Sequence, residues 1–350
     1  MNNFISYNLP IWNGLNKNFL KLKTARLNIN NSKIKGIFMQ VSKKMIKYDN
    51  NYEHMTPLFG SSYIEKLRDK KMKLIINRIN KKDAVLEIGS GDSRIARNLR
   101  YKHLTIVDPS IKNPKNNYKN INIFREFYEN LNLKKKYDHI VLFSVIEHVE
   151  NIEKFFNKLN SNIKTNGFVY ITTPVIDNQF LRGDFNSLLH EHTYYFTNYG
   201  LINLFNKYSL KVLNFKIEND CGYIILQKKK NAKNKNPYIC YDINTYKNIF
   251  NYQLMKFKNF TKNNKNIVFF GATNGLNNLI FLSKLNTYNN NYSITDSDES
   301  KIGKYLPSSP KKIIDKKKIK KTNIICISAQ SFKEEIMLQN FNLSSTYFNE

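Results

Sequence analysis

The stretch that most constrains the fold is VLEIGSGDSRIARNLRYKHLTIVDPS, residues 85–110. An apolar run over 84–88 leads into Gly89-Ser90-Gly91. A helical segment over 93–100 follows, and a second apolar run, 104–108, closes on Asp108. Strand, glycine turn, helix and strand make one βαβ unit, whose two strands lie parallel with the helix across a sheet face. Glycines at 89 and 91 let the chain turn tightly and let a ligand approach the backbone.

The alternation continues along the chain. Strands are predicted at 120–124, 137–145 and 167–174, and helices at 149–163 and 198–209. The first helix carries Ile152, Phe155, Phe156 and Leu159 on one face. An amphipathic lead-in helix is predicted over 61–80 from its apolar spacing. Two further strands, 210–218 and 222–229, fit an antiparallel edge. The charged, Asn-rich segment 228–238 reads as a linker. After it the pattern restarts with NIVFFGATNGLNNLIFL, again strand, glycine turn and helix, followed by strands at 292–298 and 323–329. The expected class is α/β, a Rossmann-like domain followed by a second, smaller α/β domain. The expected division is an N-terminal segment and lead-in helix at 1–80, a nucleotide-binding domain at 81–230 and a C-terminal unit at 238–350. Residues 1 to about 50 are polar and weakly periodic, and no fold is read for them. Trp12 and Phe38 are their candidates for packing.

Composition narrows the function. The chain has 350 residues and a net charge of +29, but only 8 of its 56 basic residues are Arg. Specific nucleic-acid readers lean on Arg forks and clustered patches. The Lys runs here fall between predicted elements, so no nucleic-acid partner is expected. The excess charge would still steer an anionic small molecule, such as a nucleotide sugar, toward the surface. Cys221, Cys240 and Cys326 form no CxxC pair, so neither a disulfide framework nor a metal site is expected. No apolar run reaches the length of a membrane span, and no signal peptide is read at the N-terminus, so a cytoplasmic protein is the expectation.

The first glycine turn is poorly made for a dinucleotide. A pyrophosphate fingerprint wants a third glycine where Arg94 stands, and Glu87 before the turn would repel a phosphate. Asp108, 21 residues after Glu87, stands near the spacing of an acid that binds a ribose diol. These residues resemble the class I S-adenosylmethionine-dependent methyltransferases, whose first motif is acid-x-Gly-x-Gly. Glu87, Gly89 and Gly91 match it, with Ser93 where a third glycine is usual. The resemblance implies S-adenosyl-L-methionine as cofactor, held by Glu87, Gly89, Gly91 and Asp108. YDHIVLFSVIEHVEN and NGFVYITTP are similar to the family's fourth and fifth strands.

LLHEHTYYFT, residues 188–197, is the densest polar cluster, and it follows the fifth strand on the side where open α/β sheets bind ligands. Read as a strand, it would point His190 and His192 one way and Glu191 the other. The bland alternative is a turn that caps a helix. HEHTYYF, NNYEHMTPLFGSSYIEKL (50–67) and the C-terminal FFGATNGLNNLI resemble the sugar C-methyltransferases that act on nucleotide-linked keto-sugars. That resemblance implies His192 as base with Glu191 as its partner, and His148 and Tyr52 toward the substrate oxygen. The departures are the absent zinc-binding cysteines, Leu189 in place of a tyrosine, and Asp220-Cys221-Gly222-Tyr223 in place of a glycine pair and serine. Two rivals stay open: a small-molecule O-methyltransferase of the same fold, and a nucleotide-binding protein with a degenerate site. A second ligand at Gly271-Ala272-Thr273-Asn274-Gly275, with Asp296 and Asp298 toward a ribose, is the further possibility.

Overall fold

The computed structural model describes residues 4–12, 14–42, 78–80, 82–90, 103–111, 121–289, 291–319, 324–329 and 333–339. The helix read over 93–100, nearly all of the lead-in helix, Tyr52 and Gly91 lie outside the described residues.

The N-terminal part, for which the sequence suggested no fold, is built of strands. β1 (Ile5–Pro10) pairs antiparallel with β2 (Thr24–Asn31), and β2 with β3 (Ile37–Gln40). Their apolar residues are sparse, and most fall on one face: Ile5, Leu9, Leu27, Ile29 and Phe38 share one core, while Ile37 turns the other way into the core of the largest sheet. Ser6, Asn8, Arg26, Asn28 and Asn30 take most of the alternate positions, which hides the period-2 signal behind a polar composition.

The largest sheet has seven strands: β4 (Ala84–Ile88), β5 (His103–Val107), β6 (Ile121–Phe124), β7 (Tyr137–Phe143), β8 (Ile163–Pro174), and, later in the chain, β10 (Leu210–Glu218) and β11 (Cys221–Lys228). Their order is β10-β11-β8-β7-β4-β5-β6. The five strands from β6 to β8 are parallel, in the doubly wound order 3-2-1-4-5. The expected antiparallel pair does sit at one edge, but the later strand is the inner one. β11 runs antiparallel between β8 and β10. Helix α1 (Ile152–Asn162), capped by the Asn151 side chain, lays Phe155, Phe156 and Leu159 into the core under this sheet. Short helix α2 (Asp177–Leu181) follows β8.

β9 (Tyr194–Phe196) leaves this unit and pairs with β3, so that the HEHTYYF segment ends inside the N-terminal sheet. Helix α3 (Asn198–Lys207) starts at Thr197. The Thr197 hydroxyl donates to the Gly36 carbonyl at 2.6 Å and accepts from the Gly200 amide at 2.9 Å. A Cβ on Gly200 would stand 2.2 Å from the Gly36 oxygen, so only glycine permits this approach.

Helix α4 (Ile243–Asn263) leads to a four-stranded parallel sheet of β12 (Ile267–Phe270), β13 (Tyr292–Asp296), β14 (Ile313–Asp315) and β15 (Ile324–Ile327), in the order β14-β13-β12-β15. Helix α5 (Asn274–Ser283) follows β12, helix α6 (Leu285–Tyr288) follows α5, and helix α7 (Lys333–Gln339) follows β15. The segment read as a linker is pinned by its own asparagines. Asn234 and Asn206 exchange hydrogen bonds, and the Asn236 amide donates to the Tyr199 carbonyl and to Asn203.

The N-terminal strands tie these parts together. Phe38 packs 6.4 Å from the Phe180 ring and 5.7 Å from Tyr246 of α4, while Trp12 enters the core of the C-terminal sheet. Aromatic burial of this kind contributes several kcal/mol per ring. Phe38→Ala is expected to lower the unfolding free energy by about 3–5 kcal/mol, measured by urea denaturation.

Candidate active site

In a doubly wound sheet, ligands bind beyond the carboxyl ends of the strands where the order reverses. Here that point lies between β4 and β7. Gly89 follows β4 with φ +69°, and its amide donates to the Val107 carbonyl at 2.9 Å. A Cβ at Gly89 would stand 2.4 Å from Val145 Cγ2, just past β7. The turn is therefore glycine both for its φ and for its closeness to the facing wall.

Glu87 and Asp108 are both buried at this end of the sheet. Asp108 follows β5. Its Oδ1 accepts from the Ser110 amide at 2.7 Å and the Ser110 hydroxyl at 2.8 Å, which fixes the plane of the carboxylate. Ser90 is buried in the turn itself, and its hydroxyl has no partner among the described residues. Two buried acids and an unsatisfied hydroxyl at a switch point fit a ligand with an ammonium group and a ribose diol. They do not suit a pyrophosphate, which carbonyl and carboxylate oxygens would repel.

Val145 leads to the second group of residues. Ser144 at the end of β7 has φ +53°, a left-handed turn that redirects the chain. The His148 amide donates to the Val145 carbonyl at 2.9 Å. The carbonyl of Glu147 accepts from both Thr193 and Tyr194, at 2.7 and 3.0 Å, which draws the HEHTYYF segment against the loop after β7. His148 and His192 thereby meet edge to face, with ring centroids 5.1 Å apart.

The segment is a turn up to Thr193 rather than a strand, so the period-2 expectation for His190, Glu191 and His192 does not hold. A strand there would leave the main-chain groups of 190–193 without the loop contacts that they make. The His190 ring turns to the Ala25 carbonyl at 3.1 Å, while His192 lies against His148 and Tyr195. Glu191 contributes its main-chain carbonyl, which accepts from His148 Nδ1 at 3.1 Å. The sequence reading paired Glu191 with His192; the ring partners that the structure gives to His192 are His148 and Tyr195.

Burial, reinforced by the neighbouring His148, pushes His192 well below the ordinary histidine range. It is therefore neutral at physiological pH. Glu147, which the sequence reading did not single out as a site residue, is fully enclosed. Burial pushes it up to about 8, against the opposing effect of the Thr173 hydroxyl bonded to Oε2 at 3.1 Å. Glu147 Oε1 stands 4.0 Å from His148 Nε2. Glu147, His148 and His192 each bring one ligand atom within 4.8 Å of the others, a spacing that a divalent ion could use. The signal in the sequence was slight, an acid directly before His148.

The second glycine turn is used differently. Gly271 has φ +108°, and a Cβ there would strike Ala329 at 2.7 Å. The amino end of α5, where a phosphate would sit, is covered by the chain itself. The Gly275 amide donates to Asn186 Oδ1 at 3.2 Å, and Asn274 Nδ2 to the Leu188 carbonyl at 3.0 Å. Asp296 accepts from the Ala272 amide at 2.8 Å and from Lys301 at 2.7 Å, and Asp298 caps the following turn by accepting from Ser300. The acids expected to face a ribose are spent on the fold.

Residues 59–215 match the family model described as a methyltransferase domain. A ubiquinone biosynthesis O-methyltransferase of Rickettsia typhi is 35% identical over 113 residues, which is 29% of this chain and 45% of that protein. One of Rickettsia felis is 28% identical over 146 residues, 37% of this chain and 59% of that protein. The chain thus spans about half the length of the curated relatives it matches. Among solved structures, the N-methyltransferase NodS from Bradyrhizobium japonicum, bound to S-adenosylhomocysteine, is 12% identical with a TM-score of 0.40, covering 52% of this chain and 95% of that one. A 1,6-didemethyltoxoflavin N1-methyltransferase from Burkholderia thailandensis is 9% identical with a TM-score of 0.40, covering 57% of this chain and 99% of that one.

Residues 59–215 thus match a methyltransferase domain. Five strands of the seven-stranded sheet lie within them and β10 begins there, with the seventh, β11, following directly. No helix among the described residues is long and apolar enough to cross a membrane.

Calorimetric titration with S-adenosylhomocysteine checks the crevice. Wild type is expected to bind in the micromolar range. Asp108→Ala should weaken binding at least tenfold, about 1.4 kcal/mol or more. Gly89→Ala should abolish it, since the new Cβ meets Val145.

Proposed function

We propose that this chain transfers the methyl group of S-adenosylmethionine to a sugar or nucleotide-linked sugar, at a carbon next to a ketone. The observation that carries the reading is His192: buried, neutral and packed on His148, on the loop that walls the Gly89 turn. A neutral imidazole out of water is a competent base at physiological pH.

Glu87, Gly89, Gly91 and Asp108 are the residues that would hold the cofactor, which supplies an activated methyl group. His192 accepts the proton from the acceptor carbon, and the resulting enolate takes the methyl group. His148 donates Nδ1–H to the Glu191 carbonyl, so its neutral tautomer keeps Nε2 as an acceptor. In that form it suits holding a substrate hydroxyl or the His192 ring, rather than stabilising a developing oxyanion. Help for the oxygen falls to Tyr52, as the resemblance to the sugar C-methyltransferases implies. Glu191 serves through its carbonyl by fixing His148. The anionic acceptor expected from the charge of the chain is drawn in by long-range attraction.

A second reading, O-methylation of a small molecule, is favoured by the names of the curated relatives and by the Glu147–His148–His192 cluster. A divalent ion there would have to displace the Glu147 proton, since burial holds that carboxyl largely protonated at neutral pH. That cost supports the metal-free reading.

Deuterium exchange next to the ketone of a nucleotide-linked 4-keto-sugar, followed by NMR without cofactor, separates the two. Carbon chemistry gives exchange that persists in EDTA. Oxygen chemistry gives no exchange, and loss of methyl-ether formation in EDTA if the cluster holds an ion. His192→Ala should cut turnover about a hundredfold or more while leaving S-adenosylhomocysteine affinity unchanged. The working form of His192 is neutral and its pKa is depressed, so kcat/KM should stay level as pH falls from 8 through 6.5 and decline only below that. An acid limb at or above 6.5 would point to another base.

A further inference from the structure

A small cavity of about 60 Å³ is lined by Gln40, Ser42, His190 and Thr193. It lies where the N-terminal sheet meets the HEHTYYF turn, and none of the roles assigned above uses it. A hydroxyl or water needs roughly 10–15 Å³ of such space, so the cavity has room for several groups of that size.

Its lining is polar, uncharged and incompletely satisfied. Gln40 is 9% exposed, and its Oε1 is buried with no hydrogen-bond partner among the described residues. Native folds satisfy nearly all such atoms, and the exceptions point to a missing partner. The residue is held in place by its main chain, whose amide donates to the Thr193 carbonyl at 2.8 Å. His190 donates Nε2–H to the Ala25 carbonyl at 3.1 Å, which leaves Nδ1 as the acceptor of a neutral ring. Ser42 Oγ accepts from the Asn28 amide at 3.1 Å and keeps its hydrogen for donation. Two acceptors and one hydroxyl donor complement a group that both donates and accepts. An apolar group would leave Gln40 unsatisfied, and among the described residues neither a carboxylate nor an ammonium lines the cavity to pair with a charged one.

The cavity also borders the base. Thr193 forms one of its walls, follows His192 directly and donates its hydroxyl to the His148 carbonyl at 3.4 Å. Thr193 is thus shared between the cavity wall and the segment that carries His192. We propose, resting on the methyl-transfer reading above, that Gln40, Ser42 and His190 form a subsite that grips a hydroxyl of the acceptor sugar, with Gln40 Oε1 accepting its hydrogen. The N-terminal strands thereby contribute to acceptor choice, a role outside the methyltransferase domain itself.

The test is calorimetry on the full chain saturated with S-adenosylhomocysteine. UDP-glucose and dTDP-glucose are each compared with the free nucleoside diphosphate. The subsite predicts that wild type prefers one sugar nucleotide over its diphosphate. Gln40→Leu, similar in size but without the amide, should erase about tenfold of that preference, the usual scale of one lost buried hydrogen bond. Affinity for the free diphosphate and for S-adenosylhomocysteine should be unchanged, which shows that the variant is folded. Ser42→Ala should lower the preference severalfold in the same way. A preference that survives in both variants overturns the subsite, leaves the sugar reading standing, and marks the cavity as a water site. Absence of any preference in wild type overturns the sugar-nucleotide reading and the subsite with it.

Discussion

The carbonyl oxygen of Glu147 accepts two main-chain N–H groups, from Thr193 and Tyr194, and the chemistry of the site depends on that junction. It joins two segments more than forty residues apart. One is the loop that walls the cofactor turn through Val145, and the other carries His192. Without it the two histidines would not meet. Main-chain bonds are suited to this work because they do not depend on side-chain rotamers, and in a buried setting the cost of breaking one is the full desolvation of the groups left behind. Side-chain chemistry follows from that frame. Burial strips His192 of its proton and leaves Glu147 with one, so a neutral base and a neutral acid stand side by side.

The parallel core was legible from the sequence because its strands are buried on both faces and read as unbroken apolar runs. Ala84–Ile88 is buried throughout, and the acid in it belongs to the site rather than to the surface. The tight turn at Gly89 was equally legible, since glycine spacing and the two acids at strand ends are local signals. The N-terminal sheet was not. Its strands β1 to β3 carry few apolar residues, and its fourth member, β9, comes from 150 residues further along, a pairing that no local pattern encodes. The histidine cluster was half legible. Residue types singled out HEHTYYF, whose His192 does meet His148, but alternation was the wrong template for a turn. The partner of His192 was therefore set by a long-range contact rather than by its neighbour in sequence.

The two α/β units show how one local pattern serves different ends. Both begin with an apolar strand and a glycine at positive φ. In the first, the turn faces a crevice, with a buried hydroxyl that lacks a partner among the described residues. In the second, Asn186 and Leu188 occupy the start of α5 and Lys301 neutralises Asp296. The Gly275 amide, which could bind an anion, instead donates to the Asn186 side chain, and the Asn274 and Asn278 side chains donate to the Leu188 and Phe185 carbonyls, which turns a ligand-binding motif into a joint. The sequence difference is small: asparagines at 274 and 278 reach back to main-chain carbonyls where a nucleotide-binding turn would need open space.

β9 carries Tyr194, Tyr195 and Phe196, three buried aromatics in a row, and its neighbour in the sheet is β3. Such a strand, stripped of that neighbour, is an open edge of high β-propensity directly beside the turn that carries His192. The first forty residues thus act as an internal chaperone for the site. They pair that edge with polar strands of their own, in which Asn8, Arg26, Asn28 and Asn30 stand at alternate positions.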